Sequence, residues 1–536
     1  MATAGWDIVM LAALVLATRL LPRWLNPKAV SSDSYYHLLC AQAIRENRFR
    51  IPEKVRGFCF PSPYDYPPLF HYLLALLGTR ARERAEVWLS GVIDVGNVAV
   101  FYWLARRLDA TLWAGHGPSP LMLSALLAIS PALLAVGTGP RAYQATPRVL
   151  GEVWFNLAVA AALLFYLGDG WPCYAAAVAA AALVCLSSKF SVQALLFMLP
   201  VIGLLLKSPS LAALPLLGMG LAVVLSGGFY LRVLRGQIGH LYLFSRWTAQ
   251  HYPNVLRKNR WQDIVNLPHY LLANRQEAYR VFFLDNSYVI LLTRNPQLLF
   301  LGYGWLVGGL VPWGPPAAAA LWAWAAASLA VFLLTSLRPL LFLGEPERYV
   351  EHALIPLYLL AGYAAWGLGV FDTFSAVTAA YSLTLYGLYV LLFRRLFRVD
   401  PEAARDQEEA FAFLRNWPGR LRLLPLGSIY GLAYWSGQEV FYSSGNFATC
   451  YMPIAQFRNI YKILGVPREN LRDILDGYGL DGFVAFKKAL AAAWHDYGLR
   501  YSFAGLEKVF ENDSCSVWLR RRPAADTTPP RSGTCA

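Results

Sequence analysis

Hydrophobic and polar residues follow one another along this chain in long blocks, not at the spacing of a soluble fold. Apolar runs near 6–21, 87–105, 118–137, 153–168, 172–186, 191–206, 210–226, 297–312, 317–335, 353–370 and 374–394 predict about eleven helices. A helix of that length crosses a hydrocarbon layer of about 30 Å. Leu69 to Leu77 is apolar but too short to cross, which predicts an interfacial or re-entrant piece. Residues 227–296 mix basic residues with Tyr242, Trp247, Tyr252, Trp261, Tyr270 and Tyr279, the pattern of a segment lying along the membrane interface. From about 395 onward the pattern turns soluble. Short β-like runs (Arg422–Pro425, Glu439–Tyr442, Ser516–Leu519) alternate with helix-like stretches near 403–415 and 483–495. The expected division is therefore a membrane domain over 1–395, a small α/β domain over 396–522 and a disordered tail over 523–536.

Composition agrees with a membrane protein. Of the 536 residues 57% are hydrophobic and 15% charged, where soluble domains run nearer one quarter charged; the mean hydropathy is +0.39. No small-residue cleavage site follows the first span, so it reads as a retained helix. The net charge of +14 would suit nucleic acid, but no nucleic-acid-binding module is visible. Anionic membrane lipids or a phosphate-bearing lipid fit a polytopic chain better. The seven cysteines show no metal spacing. Cys40 with Cys59, and Cys450 with Cys515, could form disulfides in an oxidising space or stay as buried thiols.

With the N-terminus inside, alternation of spans puts the Asp33 segment, residues 138–152, 227–296 and 336–352, and the C-terminal domain outside. Arg106 and Arg107 then fall inside as the positive-inside rule asks, whereas arginines in the short loops 138–152 and 336–352 count against it. In either orientation the conspicuous polar residues emerge on one face. They form four patches: Asp33 with Tyr35, Tyr36 and His37; the proline-rich Phe60–His71 with Asp65; Arg141, Arg148 and Glu152; and Glu345, Glu347, Arg348, Tyr349, Glu351 and His352.

Carboxylates converging from separate helices can bind Mg²⁺ or Mn²⁺ through oxygen ligands, or one can act as general base. Arginines nearby would hold a phosphate bidentately and stabilise it as it leaves. Each group also has a structural reading. Asp33 can be a solvated residue or helix cap, Glu347 and Arg348 a surface pair, and Glu152 a partner of its helix dipole. Asp94 and Asn97 can be hydrogen-bonding residues between helices.

Asp33-Ser34-Tyr35-Tyr36-His37, in the first outer loop, resembles the start of GT-C membrane glycosyltransferases, and most of all the catalytic subunit of archaeal and bacterial oligosaccharyltransferases. Tyr66-Pro67-Pro68-Leu69-Phe70 is similar to the proline-containing step that follows in that loop. The resemblance implies a GT-C-like polytopic α-helical fold with a small extracytoplasmic α/β domain. It also implies a cell-membrane transferase that moves a sugar, with inversion, from a polyprenyl-phosphate or polyprenyl-diphosphate donor on the outer face. By position, Asp33 would be metal ligand or base, Glu152 a second metal ligand, and Glu345 or Glu347 the later catalytic acid. Tyr36, His37, Arg141, Arg148, Arg348 and Tyr349 would contact substrate, with Arg348 on the donor phosphate. Two departures stand out. Position 150 is Leu where the family has an acidic residue. The family's Trp-Trp-Asp-Tyr-Gly motif is replaced after the last span by Ser428 to Trp435, and a similar string, Trp494-His495-Asp496-Tyr497-Gly498, lies far downstream. The acceptor stays open among glycan, lipid and protein, an oligosaccharyltransferase proper being one alternative. A transporter of lipid-linked sugars is the alternative without chemistry, though transporters usually place polar groups at the bilayer midplane.

Overall fold

The computed structural model describes the chain except residues 1, 27–30, 61–62, 114, 136–143, 309–313, 397, 443–451, 464 and 522–536. It forms two compact units, Met1–Glu53 with Tyr64–Val399, and Lys54–Pro63 with Asp400–Ala536. The first is a helical bundle. Among the described residues five helices are long and apolar enough to cross a membrane: Gly5–Leu25, Thr79–Trp113, Pro147–Asp169, Pro316–Ser336 and Phe371–Arg395. Six shorter apolar helices accompany them, at Pro120–Leu134, Trp171–Ser187, Lys189–Leu205, Pro209–Leu225, Gln297–Val307 and Leu354–Gly367. Every expected span thus has a helix, and the protein is a multi-pass membrane protein. Several helices open with proline in the first turn (Pro120, Pro147, Pro172, Pro209, Pro316), where no amide hydrogen bond is lost and φ is already helical. The Leu69–Leu76 piece is a separate eight-residue helix, and 227–296 breaks into short helices that leave Trp261, Val265 and Leu272 exposed.

The bundle is tied together by polar groups that a hydrocarbon environment cannot solvate. One face of helix Thr79–Trp113 carries Glu86, Ser90, Asp94 and Asn97, at the helical spacing of three to four residues. In the middle of this stripe Asp94 accepts from Arg19 Nε at 2.8 Å, an ion pair with no exposure on either side. Arg19 also donates to the Ala128 carbonyl. Asn97 donates to Asp94 Oδ1 at 2.9 Å, and Asn156 donates to Asn97 at 3.0 Å. The network joins helices Gly5–Leu25, Thr79–Trp113, Pro120–Leu134 and Pro147–Asp169. Close packing completes it: a Cβ on Gly151 would lie 2.4 Å from Ser188 Cβ, so a small residue is required where these helices touch.

The second unit is built on a five-stranded sheet of β1 (Arg422–Leu426), β2 (Glu439–Val440), β5 (Gly482–Phe486), β6 (Leu506–Glu511) and β7 (Cys515–Arg520), in the order β2-β1-β5-β7-β6. A small hairpin, β3 (Tyr461–Ile463) and β4 (Val466–Pro467), stands apart. β1 runs parallel to β2 and β5, and β7 antiparallel to β5 and β6. The stretch 483–495, expected as one helix, divides: Gly482–Phe486 is a buried central strand and the helix starts at Lys487. Phe483, Val484 and Phe486 favour a strand flanked on both sides over the start of an exposed helix. The proline-rich patch also divides. Residues 54–63 belong to the sheet unit, where the Cys59 amide donates to the Val440 carbonyl at 2.9 Å and Phe60 packs 4.5 Å from Phe441. Of the two alternatives for the cysteines, Cys40, Cys59 and Cys515 are free thiols. Cys450 lies outside the described residues.

Removing one partner of the Arg19–Asp94 pair leaves an unpaired buried charge. Asp94→Ala is expected to destabilise the detergent-solubilised protein by about 3–5 kcal/mol, and the double variant Arg19→Leu/Asp94→Leu by much less. Thermal unfolding of both variants checks this.

Candidate active site

Asp33 stands in the first turn of helix Ser32–Glu46, whose N-cap Ser31 is extended and gives no side-chain cap. Glu86 supplies what the cap lacks: its Oε1 accepts from the Ser31 amide at 3.2 Å. Its Oε2 accepts from the Ala145 amide at 2.9 Å. One turn along, Ser90 donates to the Gln144 carbonyl at 2.9 Å and accepts from the Thr146 amide at 3.1 Å. Two side chains of one helix therefore hold both the loop that carries Asp33 and the loop that opens the helix of Arg148 and Glu152. Sequence reading passed over Glu86. Its only signal was a carboxylate in helical register with Ser90 and Asp94.

Asp33 is accessible, yet the protein around it raises its carboxyl pKa by desolvation, an effect partly offset by the Arg348 guanidinium. This combination fits a carboxylate within electrostatic reach of a cation. Arg348 comes from helix Glu347–Glu351. Glu345, Glu351 and Glu347 outweigh its desolvation and keep it charged. Its Nε donates to Glu345 at 2.8 Å, a partly exposed pair. The turn before it depends on Gly344, whose φ of +124° is strained for any other residue.

The other carboxylates of this patch differ from Glu345. Glu347 is buried, receiving Lys258 Nζ at 2.6 Å and the Ser287 hydroxyl at 2.7 Å, so its oxygens serve as an anchor for the long 227–296 segment. Glu351 lies 3.9 Å from Arg148. Tyr349 is buried, donating to the Leu343 carbonyl at 3.0 Å and packing 4.8 Å from Phe190.

Behind Asp33 lies an aromatic and imidazole cluster. His37 Nδ1 is 2.9 Å from His71 Nε2, and His71 Nδ1 is 2.5 Å from the Tyr64 hydroxyl. Tyr66 packs 5.6 Å from His37 and 5.9 Å from Tyr36. Burial raises the Tyr66 phenol pKa and nearby Asp33 raises it further. Lys189 Nζ stands 4.5 Å over the Tyr66 ring. Burial, then the Lys189 charge, lowers the pKa of His37 to about 3, and His240 responds in the same way. His71 is also lowered by burial, His37 and Lys189. Lys189, at the start of helix Lys189–Leu205, was missed in the sequence because it sits inside an apolar run.

The structure thus brings Asp33 together with Tyr66 and Arg348, Arg148 with Glu351, and His37 with Tyr36 and Lys189. Arg141 lies outside the described residues. Glu152 is buried in its helix. The expected Mg²⁺ or Mn²⁺ site was tested on its donor set: among the described residues no group of three or more His, Cys, Asp or Glu is placed to hold a metal. The charge facing Asp33 is a guanidinium, which competes with a cation. The residues do not fit the metal expected for Asp33 and Glu152. The Trp494–Gly498 string ends an exposed helix of the second unit, with His495 Nδ1 3.0 Å from Asp496.

Comparison with solved structures decides the fold. ArnT from Cupriavidus metallidurans bound to undecaprenyl phosphate superposes with a TM-score of 0.56 at 14% identity, over 96% of this chain and 98% of that one. This chain has the GT-C fold. Two further GT-C structures agree. The Archaeoglobus fulgidus oligosaccharyltransferase complexed with Zn and sulfate gives 0.55 at 12% identity, over 92% of this chain and 70% of that one. AglB from the same organism, with an inhibitory peptide and a dolichol-phosphate, gives 0.53 at 12% identity, over 91% and 70%. No family model matches the sequence, and no curated protein does.

His37 and His71 are neutral when folded and protonate near pH 6.5 when unfolded. The unfolded state binds more protons below pH 6.5, so stability is full above that pH and falls as pH drops towards 3. Melting temperature is expected to decline from pH 7 to pH 5, with a shallower slope in His37→Asn/His71→Gln; differential scanning fluorimetry reads this.

Proposed function

We propose that this protein is a membrane glycosyltransferase that takes a sugar or glycan from a polyprenyl-phosphate or polyprenyl-diphosphate carrier. It transfers that group, with inversion, to a glycan, lipid or protein acceptor on the outer face of the cell membrane. One observation carries the reading: on a GT-C fold, an accessible carboxylate, Asp33, faces the cation Arg348, with the ammonium of Lys189 and the imidazole of His37 behind it. The neighbours' bound undecaprenyl phosphate and dolichol-phosphate support a lipid-phosphate ligand.

In the step this arrangement allows, Asp33 accepts the proton of the acceptor's hydroxyl or amide as its oxygen or nitrogen attacks the anomeric carbon. The bond from that carbon to the phosphate oxygen breaks with its electron pair going to the phosphate, and the new glycosidic bond forms on the opposite face. The raised pKa of Asp33 makes it a better base than a fully solvated carboxylate. Arg348 and Lys189 stabilise the charge gathering on the departing phosphate. Arg348 is freed for this by exchanging its partly exposed bond to Glu345 for phosphate oxygens. Glu347 and Lys258 hold the long outer segment in place.

The test is transfer from labelled polyprenyl-linked sugars by purified protein in lipid nanodiscs. Asp33→Asn is expected to lower kcat by about 10²–10⁴, and Arg348→Gln by about 10², with melting temperatures near wild type. Full activity in Asp33→Asn would remove the base assignment. Movement of the lipid-linked sugar across the bilayer without transfer would identify a transporter.

A further inference from the structure

The chain Tyr64–His71–His37 can run in two directions, and each leaves one hydrogen at its end, on the Tyr64 oxygen or on His37 Nε2. Tyr64 and His71 are fully buried and His37 is 7% exposed, so of the two ends only His37 can meet a partner from outside the protein. The only hydrogen-bonding partner of the Tyr64 hydroxyl among the described residues is His71 Nδ1, at 2.5 Å. The hydroxyl has one hydrogen to place, and a buried donor left unsatisfied is costly. It therefore donates to Nδ1, which must be the bare, accepting nitrogen. His71 then carries its hydrogen on Nε2, and that group donates across 2.9 Å to His37 Nδ1. With Nδ1 accepting, a neutral His37 carries its hydrogen on Nε2. The reverse direction would need His71 Nδ1–H to donate to Tyr64 and would strand the phenolic hydrogen. A hydrogen bond to one ring nitrogen is what selects between imidazole tautomers.

His37 Nε2 has no protein partner among the described residues. The His37 ring packs 5.6 Å from the Tyr66 ring, and the Lys189 ammonium stands 4.5 Å over that same ring. An N–H and an ammonium that share one aromatic neighbour can both donate to the same oxyanion. We propose that Tyr64 and His71 are positioning residues that lock His37 as an Nε2–H donor to the phosphate oxygens of the lipid carrier. The choice of carrier phosphate rests on the transferase reading above; the lock itself does not. Neither Tyr64 nor His71 touches substrate, so their effect is transmitted through the ring they orient.

Selective ¹⁵N-histidine labelling of the full chain in nanodiscs tests this. In the wild-type protein His37 is expected to show a protonated Nε2 and a bare Nδ1, and polyprenyl phosphate should move the Nε2 resonance. Tyr64→Phe should erase the tautomer preference and weaken polyprenyl phosphate binding about tenfold. His71→Gln can still accept from Tyr64 and donate to His37, so it should retain more affinity than His71→Leu. A protonated Nδ1 or an imidazolium at His37 in the wild-type protein overturns the proposal even if every variant fails to fold. So does an unchanged tautomer in folded Tyr64→Phe. Inorganic phosphate moving the resonance as strongly as the lipid overturns the carrier assignment. A protein that shows the predicted tautomer and binds polyprenyl phosphate but transfers no sugar keeps the lock and rejects the transferase.

Discussion

The polar stripe on helix Thr79–Trp113 is the constraint on which the membrane unit depends. Inside a bilayer no water is at hand to satisfy a carboxylate or an amide, so each such group must find its partner within the protein. Glu86, Ser90, Asp94 and Asn97 do so in two directions. At mid-helix, Asp94 and Asn97 draw in Arg19 and Asn156 and fix the helices against one another. One and two turns nearer the helix start, Ser90 and Glu86 hold the two loops that bring Asp33 and Arg148 to the site. The same register thus sets the bundle and the entrance to the chemistry.

The site built on this frame separates groups by solvation. Asp33, Glu345 and Arg348 keep partial access to solvent and can exchange partners with a substrate. Glu347 and His71 are buried and already bonded, so they hold geometry. Sorting by burial reassigns two residues that sequence spacing alone treats alike: Glu345 and Glu347 lie two positions apart, yet only Glu345 is available to respond to a phosphate near Arg348. It also explains why a cation site does not form around Asp33. The opposing charge is the Arg348 guanidinium, and carboxylates elsewhere in the patch are tied to Arg148 and Lys258.

Local rules were enough for much of this. Hydropathy located the apolar helices of the first unit, long and short, among the described residues, because a hydrocarbon layer selects for long apolar runs. The Asp33 loop was recognisable because its residues are contiguous. Lys189 and Glu86 were invisible for the opposite reason: each is a single charge at the edge of an apolar run, meaningful only through partners 100 or more and 55 or more residues away. Strand β5 was misread because Gly482–Phe486 runs directly into a helix, and only its pairing with β1 and β7 marks where extended backbone ends.

By itself the sequence determined that the chain spans a membrane many times, that a small α/β unit follows, and that acids and arginines gather in a few segments between the spans. Those properties follow from hydropathy and spacing, which are local. Only the tertiary structure decided which acid faces which cation, that residues 54–63 join the C-terminal sheet, and that Tyr64, His71 and His37 form one directed chain. Hydrogen bonds and charge pairs act over about 3–4 Å, and separation along the chain says nothing about which groups will come that close.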